Sequence, residues 1–323
     1  MIAFGPVPSR RLGYSLGINH IPAKTCTYSC VYCQVGRTTH MPLERQEFYP
    51  VEQILAEVGQ KVNQVAEAGK KIDYLTLVPD GEPTLDLNLG KIIRELKQFG
   101  IPVAVISNAS LIDRLDIQQE LMEADWVSLK VDSVDEAVWR KINRPHRRLS
   151  LPIILEGMLA FKQKYPGKLV TESMLVAGLN DNERTTRQLC NFLLELQPSI
   201  SYLSIPTRPP AEAEVTPPSP EALQEIIEIC SEQVPFVELL FESEVGDFVS
   251  TGNLKEDILS ITAVHPLREE PLRAMVSAAG GTWRVVEDLL ADGSILTILY
   301  RDERYFFRRF KKSGPKESIT QSF

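Results

Sequence analysis

The sequence contains no apolar run approaching the roughly 20 residues that a membrane-spanning helix needs. Its first residues also lack the charged and then apolar layout of a secretory signal. These absences predict a cytoplasmic protein with no membrane partner. Disulfides are not expected either, because the five cysteines are an odd number and a chain of 323 residues can bury a full apolar core. The thiols are therefore expected to be reduced and used for a metal or for catalysis.

Charge of one sign is missing from parts of the chain. Between Pro209 and Glu244 there are nine glutamates and no Lys, Arg or Asp, whereas 301–316 contains seven Lys or Arg against two acidic residues. The net charge of -8 argues against a nucleic-acid binder that uses its whole surface. A basic end on an acidic body is nevertheless suited to an anionic partner. The alternative is a solvated face and tail.

Short β-rich runs alternate with helical ones from "YSLGINHI" to "ISYLSIP", giving six strand–helix units in a row. Such alternation predicts an α/β fold with a parallel sheet and helices outside, because parallel strands need crossover connections. Six units are too few for a closed eight-unit barrel. We therefore expect a partial (βα)6 TIM-like barrel over residues 1–250, with ligands at the carboxyl ends of its strands.

The pattern changes near Leu254, where three short helical segments precede a hairpin with a polar turn at Arg301 to Arg304. This order predicts a small winged-helix-like α+β module over residues 251–323. Its last helix and basic hairpin would dock a nucleic acid or a peptide. The alternative is a small cap that packs on the barrel.

Three thiols, Cys26, Cys30 and Cys33, lie close together in "KTCTYSCVYCQVGRT", directly after the first predicted strand. The loop is therefore expected at the edge of the sheet where ligands bind. Four protein ligands would complete a structural zinc site or fill every iron of a four-iron cluster. Three leave one metal with an open position, which is where chemistry takes place.

The other two cysteines, Cys190 and Cys230, fall at apolar positions of predicted helices. They are expected to be buried as small hydrophobic residues rather than to act as ligands. A zinc site that combines the three clustered thiols with His20 or His40 remains an alternative.

The spacing Cys-x3-Cys-x2-Cys, with Tyr32 just before the last thiol, resembles the signature of the radical S-adenosylmethionine (SAM) superfamily. The resemblance implies that Cys26, Cys30 and Cys33 hold a [4Fe-4S] cluster whose fourth iron binds SAM. It implies reductive cleavage of SAM to methionine and a 5'-deoxyadenosyl radical, which abstracts hydrogen from an unreactive position. It also implies an electron donor of the flavodoxin or ferredoxin type.

Further resemblance to the superfamily lies at the ends of the second and third strands. Gly81, Glu82 and Pro83 resemble its Gly-Gly-Glu element, which implies contact with the amino group of SAM, although Asp80 replaces the first glycine. Asn108, in "ISNAS", resembles the polar residue that often ends the third strand near the ligand.

The fourth strand carries Ser128, Lys130 and Asp132 on one side and resembles the Asp-Leu-Lys-x-x-Asp element, which implies contacts with the ribose and carboxylate. The alternative is a Lys130 to Asp132 ion pair at the barrel rim. Val176, in "ESMLVAGLNDNE", and the backbone near Ile205 resemble the parts that enclose adenine.

In the same segment, Asn180 or Asp181 could instead cap the next helix.

The start of the chain, the extended thiol motif and the helical C-terminal module resemble radical proteins related to wyosine-base synthases, which modify transfer RNA. Those synthases bind a second cluster through extra N-terminal thiols, whereas residues 1–25 contain no cysteine. We therefore expect a radical SAM enzyme of unidentified substrate, with a macromolecule such as tRNA or a peptide favoured over a small molecule. A small molecule would be bound inside the barrel near Arg10, Arg11, Arg37 and Arg144. The non-enzymatic alternative is an iron-sulfur or zinc regulator that binds DNA.

Overall fold

The computed structural model describes residues 2–240, 253–264, 267–300 and 303–308. Eight strands form one curled sheet in the order in which they occur along the chain. Strands β1 and β2 are antiparallel, and every neighbouring pair from β2 to β8 is parallel. The strands are β1 Ala3–Ser9, β2 Gly13–Ile18, β3 Tyr74–Leu77, β4 Val103–Ser107, β5 Trp126–Lys130, β6 Lys168–Met174, β7 Ile200–Ser204 and β8 Val237–Leu240.

Helices connect the parallel strands, as the alternation of the sequence predicts. They are α1 Val51–Glu67, α2 Leu89–Leu96, α3 Leu115–Leu121, α4 Glu136–Asn143, α5 Leu151–Lys164, α6 Glu183–Leu196 and α7 Pro220–Gln233. The prediction of an α/β partial barrel is confirmed: β2 to β7 are the six predicted strands. Two further strands, β1 and β8, extend the sheet at its two edges.

The main core lies between the sheet and this layer of helices. Helix α1 contributes Val51, Ile54, Val58 and Val65, which recur at helical spacing and are buried. One face of the parallel strands packs on the helices, as in Leu75, Leu77, Val103 and Val105. The alternate residues face the barrel interior and form a smaller apolar cluster, which contains Ala104, Trp126, Val170 and Tyr202.

The C-terminal part has its own apolar cluster. This part of the chain contains α8 Leu254–Val264, β9 Leu267–Arg268, α9 Glu269–Ala278, α10 Arg284–Ala291, β10 Ile295–Tyr300 and β11 Glu303–Arg308. Strands β10, β11 and β9 form a separate antiparallel sheet. The predicted three helices and hairpin are therefore present. The predicted boundary at residues 250 and 251 lies outside the described residues, as do most of the basic residues of 301–316.

This C-terminal unit contacts the barrel through an ion pair, a hydrogen bond and an apolar contact. Lys61 of α1 forms an ion pair with the buried Asp257 of α8, at 3.1 Å. The Tyr305 hydroxyl donates a hydrogen bond to the carbonyl of Thr207, which follows β7, at 2.7 Å. Val7 of β1 also packs against the C-terminal apolar cluster.

Among the described residues, no helix has the length and apolar character needed to cross a membrane.

Candidate cofactor site at the carboxyl edge of the sheet

The three clustered cysteines lie on a long loop, residues 19–50, that joins β2 to α1. We call it the thiol loop. The segment after β3 holds one side of it: Lys24 N–H donates to the carbonyl of Asp80 at 2.8 Å, and Glu82 N–H donates to the carbonyl of Thr25 at 3.2 Å. The sheet thus sets the position of the loop at the carboxyl ends of the parallel strands, as predicted.

Gly81 is required by this close contact between backbones. A Cβ atom added to Gly81 would lie 2.0 Å from the carbonyl oxygen of Thr25, a distance that real side chains do not show. The glycine therefore lets the end of β3 and the thiol loop approach each other. Its expected role beside the SAM amino group remains a prediction.

The segment 142–146 holds the other side of the thiol loop. Val31 N–H donates to the carbonyl of Ile142 at 2.9 Å, and His146 N–H donates to the carbonyl of Thr27 at 2.9 Å. Ser29 N–H lies 3.0 Å from the carbonyl oxygen of Asn143. The residues between Cys26 and Cys33 are consequently held from both sides by backbone hydrogen bonds.

Each of the first two thiols is close to a side-chain amide donor. The Nδ2 atom of Asn108 lies 3.4 Å from Cys26 Sγ, and the Nδ2 atom of Asn143 lies 3.4 Å from Cys30 Sγ. Burial raises the pKa of the Cys30 thiol to about 12, so a bound cation is needed to keep it as a thiolate at neutral pH.

The donor set fits an iron-sulfur cluster, whose sulfur ligands are cysteine thiolates tuned by hydrogen bonds of this kind. In the described part of the chain, no three Cys, His, Asp or Glu side chains converge on the position of one metal ion. Of the two histidines weighed for a zinc site, His20 is fully buried and His40 is exposed.

Glu82 is buried and accepts hydrogen bonds with both carboxylate oxygens. Its Oε1 accepts from the Thr84 N–H and hydroxyl, at 3.0 and 2.7 Å, and from the Ser107 hydroxyl, at 2.7 Å. Its Oε2 accepts from Asn108 N–H at 2.7 Å. Glu82 therefore joins the end of β3 to the end of β4 beneath the thiol loop, and the adjacent Pro83 is buried as the first residue of a short 3-10 turn.

Asp132 organises the opposite side of the site. Its carboxylate accepts hydrogen bonds from the Tyr32 hydroxyl, from Asn143 Nδ2 at 2.6 Å, and from Met174 N–H at 2.8 Å. One buried aspartate thus joins the thiol loop, the end of α4 and the end of β6. The alternative of an ion pair between Lys130 and Asp132 is therefore wrong.

Lys130 instead pairs with Glu172 of β6, whose carboxylate also forms an ion pair with Arg11. The Lys130 Nζ to Glu172 Oε1 distance is 3.1 Å, and Lys130 Nζ lies 5.0 Å from the centre of the Tyr32 ring. Burial alone would raise the pKa of Glu172, but the two cations lower it to about 2. Glu172 was not among the predicted site residues, although a charged residue within a strand of the predicted barrel is a signal that could have identified it.

A cavity of 290 Å³ opens beside the third thiol. Cys33 and three of the predicted cofactor-binding residues, Tyr32, Lys130 and Ile205, line it. Met174 and Ser204, at the ends of β6 and β7, also line it and were not predicted. The cavity provides a partly enclosed volume next to the Cys33 thiol.

The remaining predicted residues do not line this cavity. Val176 is buried and packs with Val31 of the thiol loop. Ser128 is buried in β5. Asn180 does not cap the next helix, because its side chain bonds the backbone of Asp132, Met174 and Val176; the cap is Asn182.

Asp181 does not cap that helix either. Its carboxylate accepts a hydrogen bond from Gly178 N–H at 2.9 Å.

Asp80, which stands where the superfamily pattern has glycine, is buried beneath the thiol loop. Its Oδ2 accepts from Asn19 Nδ2, and its N–H donates to Asn19 Oδ1, both at 3.0 Å. Burial raises the pKa of Asp80 to about 7. Asp80 also lines a second cavity of 140 Å³, which shares Arg11 and Gln34 with the first.

The four predicted arginines lie in two places. Arg10 and Arg11 line the larger cavity. Arg37 and Arg144 do not line it, and both pair with Glu212.

Cys190 and Cys230 lie away from this site, as predicted. Both are fully buried, and their Sγ atoms are 2.8 Å apart between α6 and α7.

Comparison with known proteins identifies the class. Residues 20–193, more than half of the chain, match the model of the radical SAM superfamily, and the chain belongs to that superfamily. A Methanocaldococcus jannaschii protein named UPF0026 protein MJ1312 is 45% identical over 317 residues, with 98% of each chain covered.

Two further likenesses are more distant. A UPF0026 protein of Helicobacter pylori strain J99 is 36% identical, covering 64% of this chain and 67% of the relative. The crystal structure of a radical SAM methyltransferase from Sphaerobacter thermophilus has a TM-score of 0.54 at 13% identity, covering 70% of this chain and 66% of that one. The last likeness concerns the fold alone.

Proposed function

We propose that this protein is a radical SAM enzyme that cleaves SAM reductively and uses the resulting 5'-deoxyadenosyl radical to modify a macromolecule such as tRNA or a peptide. The observation that carries the proposal is a loop with three clustered thiols at the carboxyl ends of the strands, whose Cys33 lines a 290 Å³ cavity. When bound, a [4Fe-4S] cluster would supply the electron that breaks the carbon-sulfur bond of SAM.

The residues of the chain have distinct tasks in this proposal. Cys26, Cys30 and Cys33 hold three corners of the cluster, and the N–H groups of Asn108 and Asn143 donate toward two of the sulfurs. Such hydrogen bonds stabilise negative charge on the thiolates. They would thereby raise the reduction potential of a cluster that the thiolates hold.

The cavity has both polar and apolar lining residues, which suits SAM because SAM has charged groups and a flat adenine base. Lys130 and Ser204 offer hydrogen-bond donors near its wall, whereas Ile205 and Met174 offer apolar contacts for a flat base. Glu82 has its oxygens occupied by protein donors, so its proposed contact with the SAM amino group requires one oxygen to accept a further hydrogen bond.

Anaerobic reconstitution with iron and sulfide tests the cluster and the cleavage together. We expect a brown protein with four irons per chain that, once reduced by dithionite, converts SAM to 5'-deoxyadenosine. Cys30→Ala should lose iron binding and cleavage, whereas Cys190→Ala should keep both. A colourless zinc protein, or full iron content in the Cys30 variant, would contradict the proposal and favour a regulator.

The C-terminal unit is the proposed docking part for the macromolecule. Its helices and hairpin resemble a winged helix in order, and the basic residues of 301–316 follow or form part of that hairpin. We expect neutral replacement of Arg309, Lys311 and Lys312 to weaken binding of bulk tRNA and to reduce its salt dependence by about one unit of slope per lost phosphate contact. Unchanged tRNA and peptide binding would count against this docking role.

A further inference from the structure

We propose that four arginines beside the thiol loop form a docking surface for an acidic electron-transfer protein of the flavodoxin type. The residues are Arg37, Arg144, Arg147 and Arg148, and we call them the basic patch. The inference rests on the proposed function, since only a chain that needs single electrons needs such a partner. It adds the place where that partner binds.

The basic patch is built onto the backbone that holds the thiols. Arg144, Arg147 and Arg148 belong to, or directly follow, the segment 142–146 that runs along the thiol loop. Asn143, one residue before Arg144, contacts Cys30 Sγ at 3.4 Å, and Arg37 follows Cys33 by four residues. A protein bound at this surface would therefore be next to the cluster, and electron transfer weakens steeply with distance.

The arginines of the basic patch are accessible. The side chains of Arg37 and Arg144 are 70% and 41% exposed, and Arg147 and Arg148 are exposed as well. Partial burial and the charges of Arg148 and Arg147 lower the pKa of the neighbouring His146.

The positive charge is only partly compensated. Glu212 pairs with both Arg37 and Arg144, and Glu214 lies near Arg37. Against these two carboxylates stand four guanidinium groups, within a protein whose net charge is -8. An acidic partner is thus attracted to this surface and repelled by most of the remaining surface.

The position of the patch relative to the cavity favours an electron donor over a substrate. None of the four arginines lines the 290 Å³ cavity, whose wall contains Cys33, Lys130 and Ile205. A substrate has to reach that cavity, whereas an electron can enter from the outer side of the thiol loop. RNA would also be attracted to these arginines, and a comparison of tRNA binding with flavodoxin binding distinguishes the two partners.

The redox step transfers one electron from the flavin to the cluster. The anionic hydroquinone of the flavin gives up one electron and becomes the neutral semiquinone. The oxidised cluster accepts that electron, and no proton has to pass between the two proteins.

The test compares Arg147→Glu/Arg148→Glu with Lys70→Glu/Lys71→Glu in the reconstituted full chain. Both pairs are adjacent and exposed, and both reversals change the net charge equally. Lys70 and Lys71 precede β3 and so lie at the sheet edge opposite to the thiol loop. The measurements are the affinity for an acidic flavodoxin at low and high salt, the rate at which reduced flavodoxin is reoxidised, SAM cleavage driven by dithionite, and the affinity for bulk tRNA.

We expect the arginine variant to lose about tenfold or more in flavodoxin affinity and reoxidation rate at low salt, and the loss to shrink in about 0.5 M salt. Cleavage driven by dithionite should change less than about twofold, because a small reductant needs no docking surface. Unchanged flavodoxin binding, or an equal loss in the lysine variant, would overturn the inference.

Two further outcomes keep the inference separate from the proposed function. If the wild-type protein does not cleave SAM even with dithionite, the proposed function fails, and the flavodoxin affinities alone decide the docking surface. If the arginine variant loses tRNA binding while flavodoxin binding is unchanged, the patch binds nucleic acid and the inference is wrong.

Discussion

Replacing Glu172 by glutamine should destabilise the protein strongly above pH 5 and much less near pH 2. The carboxylate lies between Arg11 and Lys130, and its side chain is 13% exposed. Burial opposes ionisation of this group, but the two cations and the hydrogen bonds lower its pKa from 4.5 to about 2. The pKa of Lys130 is raised despite its burial, in part by Glu172, so both partners indicate a favourable pair.

The pKa of Glu172 gives the magnitude and the pH range. A fall from 4.5 to about 2 corresponds to roughly 3 kcal/mol at about 1.4 kcal/mol per pKa unit. Because the pKa is lower in the folded state, this stabilisation is complete above pH 4.5 and is lost as the pH falls toward 2. The glutamine variant also leaves two largely buried cations without their shared anion, so the total cost at pH 7 should be about 3–5 kcal/mol.

Urea unfolding of the cluster-free protein at several pH values measures this effect. The free energies of unfolding of wild type and Glu172→Gln should differ most at pH 7 and approach each other as the pH falls from 4.5 toward 2. The exposed Glu156→Gln is the control, and it should change the free energy of unfolding by less than about 0.5 kcal/mol at every pH. A loss in Glu172→Gln that does not depend on pH would refute the assignment of its energy to charge.

Two other predictions follow from close contacts. Gly81→Ala should displace the thiol loop and lower the iron content after reconstitution, because the new Cβ would lie 2.0 Å from the backbone oxygen of Thr25. The free energy of unfolding should fall by roughly 2 kcal/mol or more. In the control Gly59→Ala on α1, the new Cβ meets only the Phe99 ring, at 3.3 Å, so this variant should keep its iron. Lys61→Ala should cost roughly 3 kcal/mol in urea unfolding, because it removes an ion-pair partner of the buried Asp257. The exposed Lys91→Ala should cost less than about 0.5 kcal/mol. Equal effects within either pair would contradict the reasoning.

The sequence was sufficient to predict the barrel because its signal is local and repeated. Each of the strands β2 to β7 is a short apolar run followed by a helical one, so an error in one unit would not change the architecture. β1 was missed because "AFGPVPS" contains glycine and two prolines, which favour loops and edge strands. β8 was missed because it is only four residues long, is separated from the end of α7 by three residues, and lies at the other edge of the sheet.

The site was predictable only in part, since sequence spacing locates residues on strands but does not choose their partners. The alternation of Lys130 and Asp132 correctly placed both near the rim. It could not indicate that Lys130 would bind Glu172 on the neighbouring strand, or that Asp132 would bind Tyr32 and Asn143. Those partners are set by the parallel register of β5 and β6 and by the fold of the thiol loop, which are long-range features.

Backbone hydrogen bonds from two segments hold the thiol loop, although the loop has little regular structure. One side is bound to Asp80 and Glu82 and the other to 142–146, so the ends of β3 and α4 determine the separation between Cys26 and Cys30. Ligand positions that depend on two separate elements are sensitive to either one. Substitutions in these two short segments should therefore alter iron binding, whereas those at the buried Cys190 and Cys230 should alter only the packing of α6 against α7.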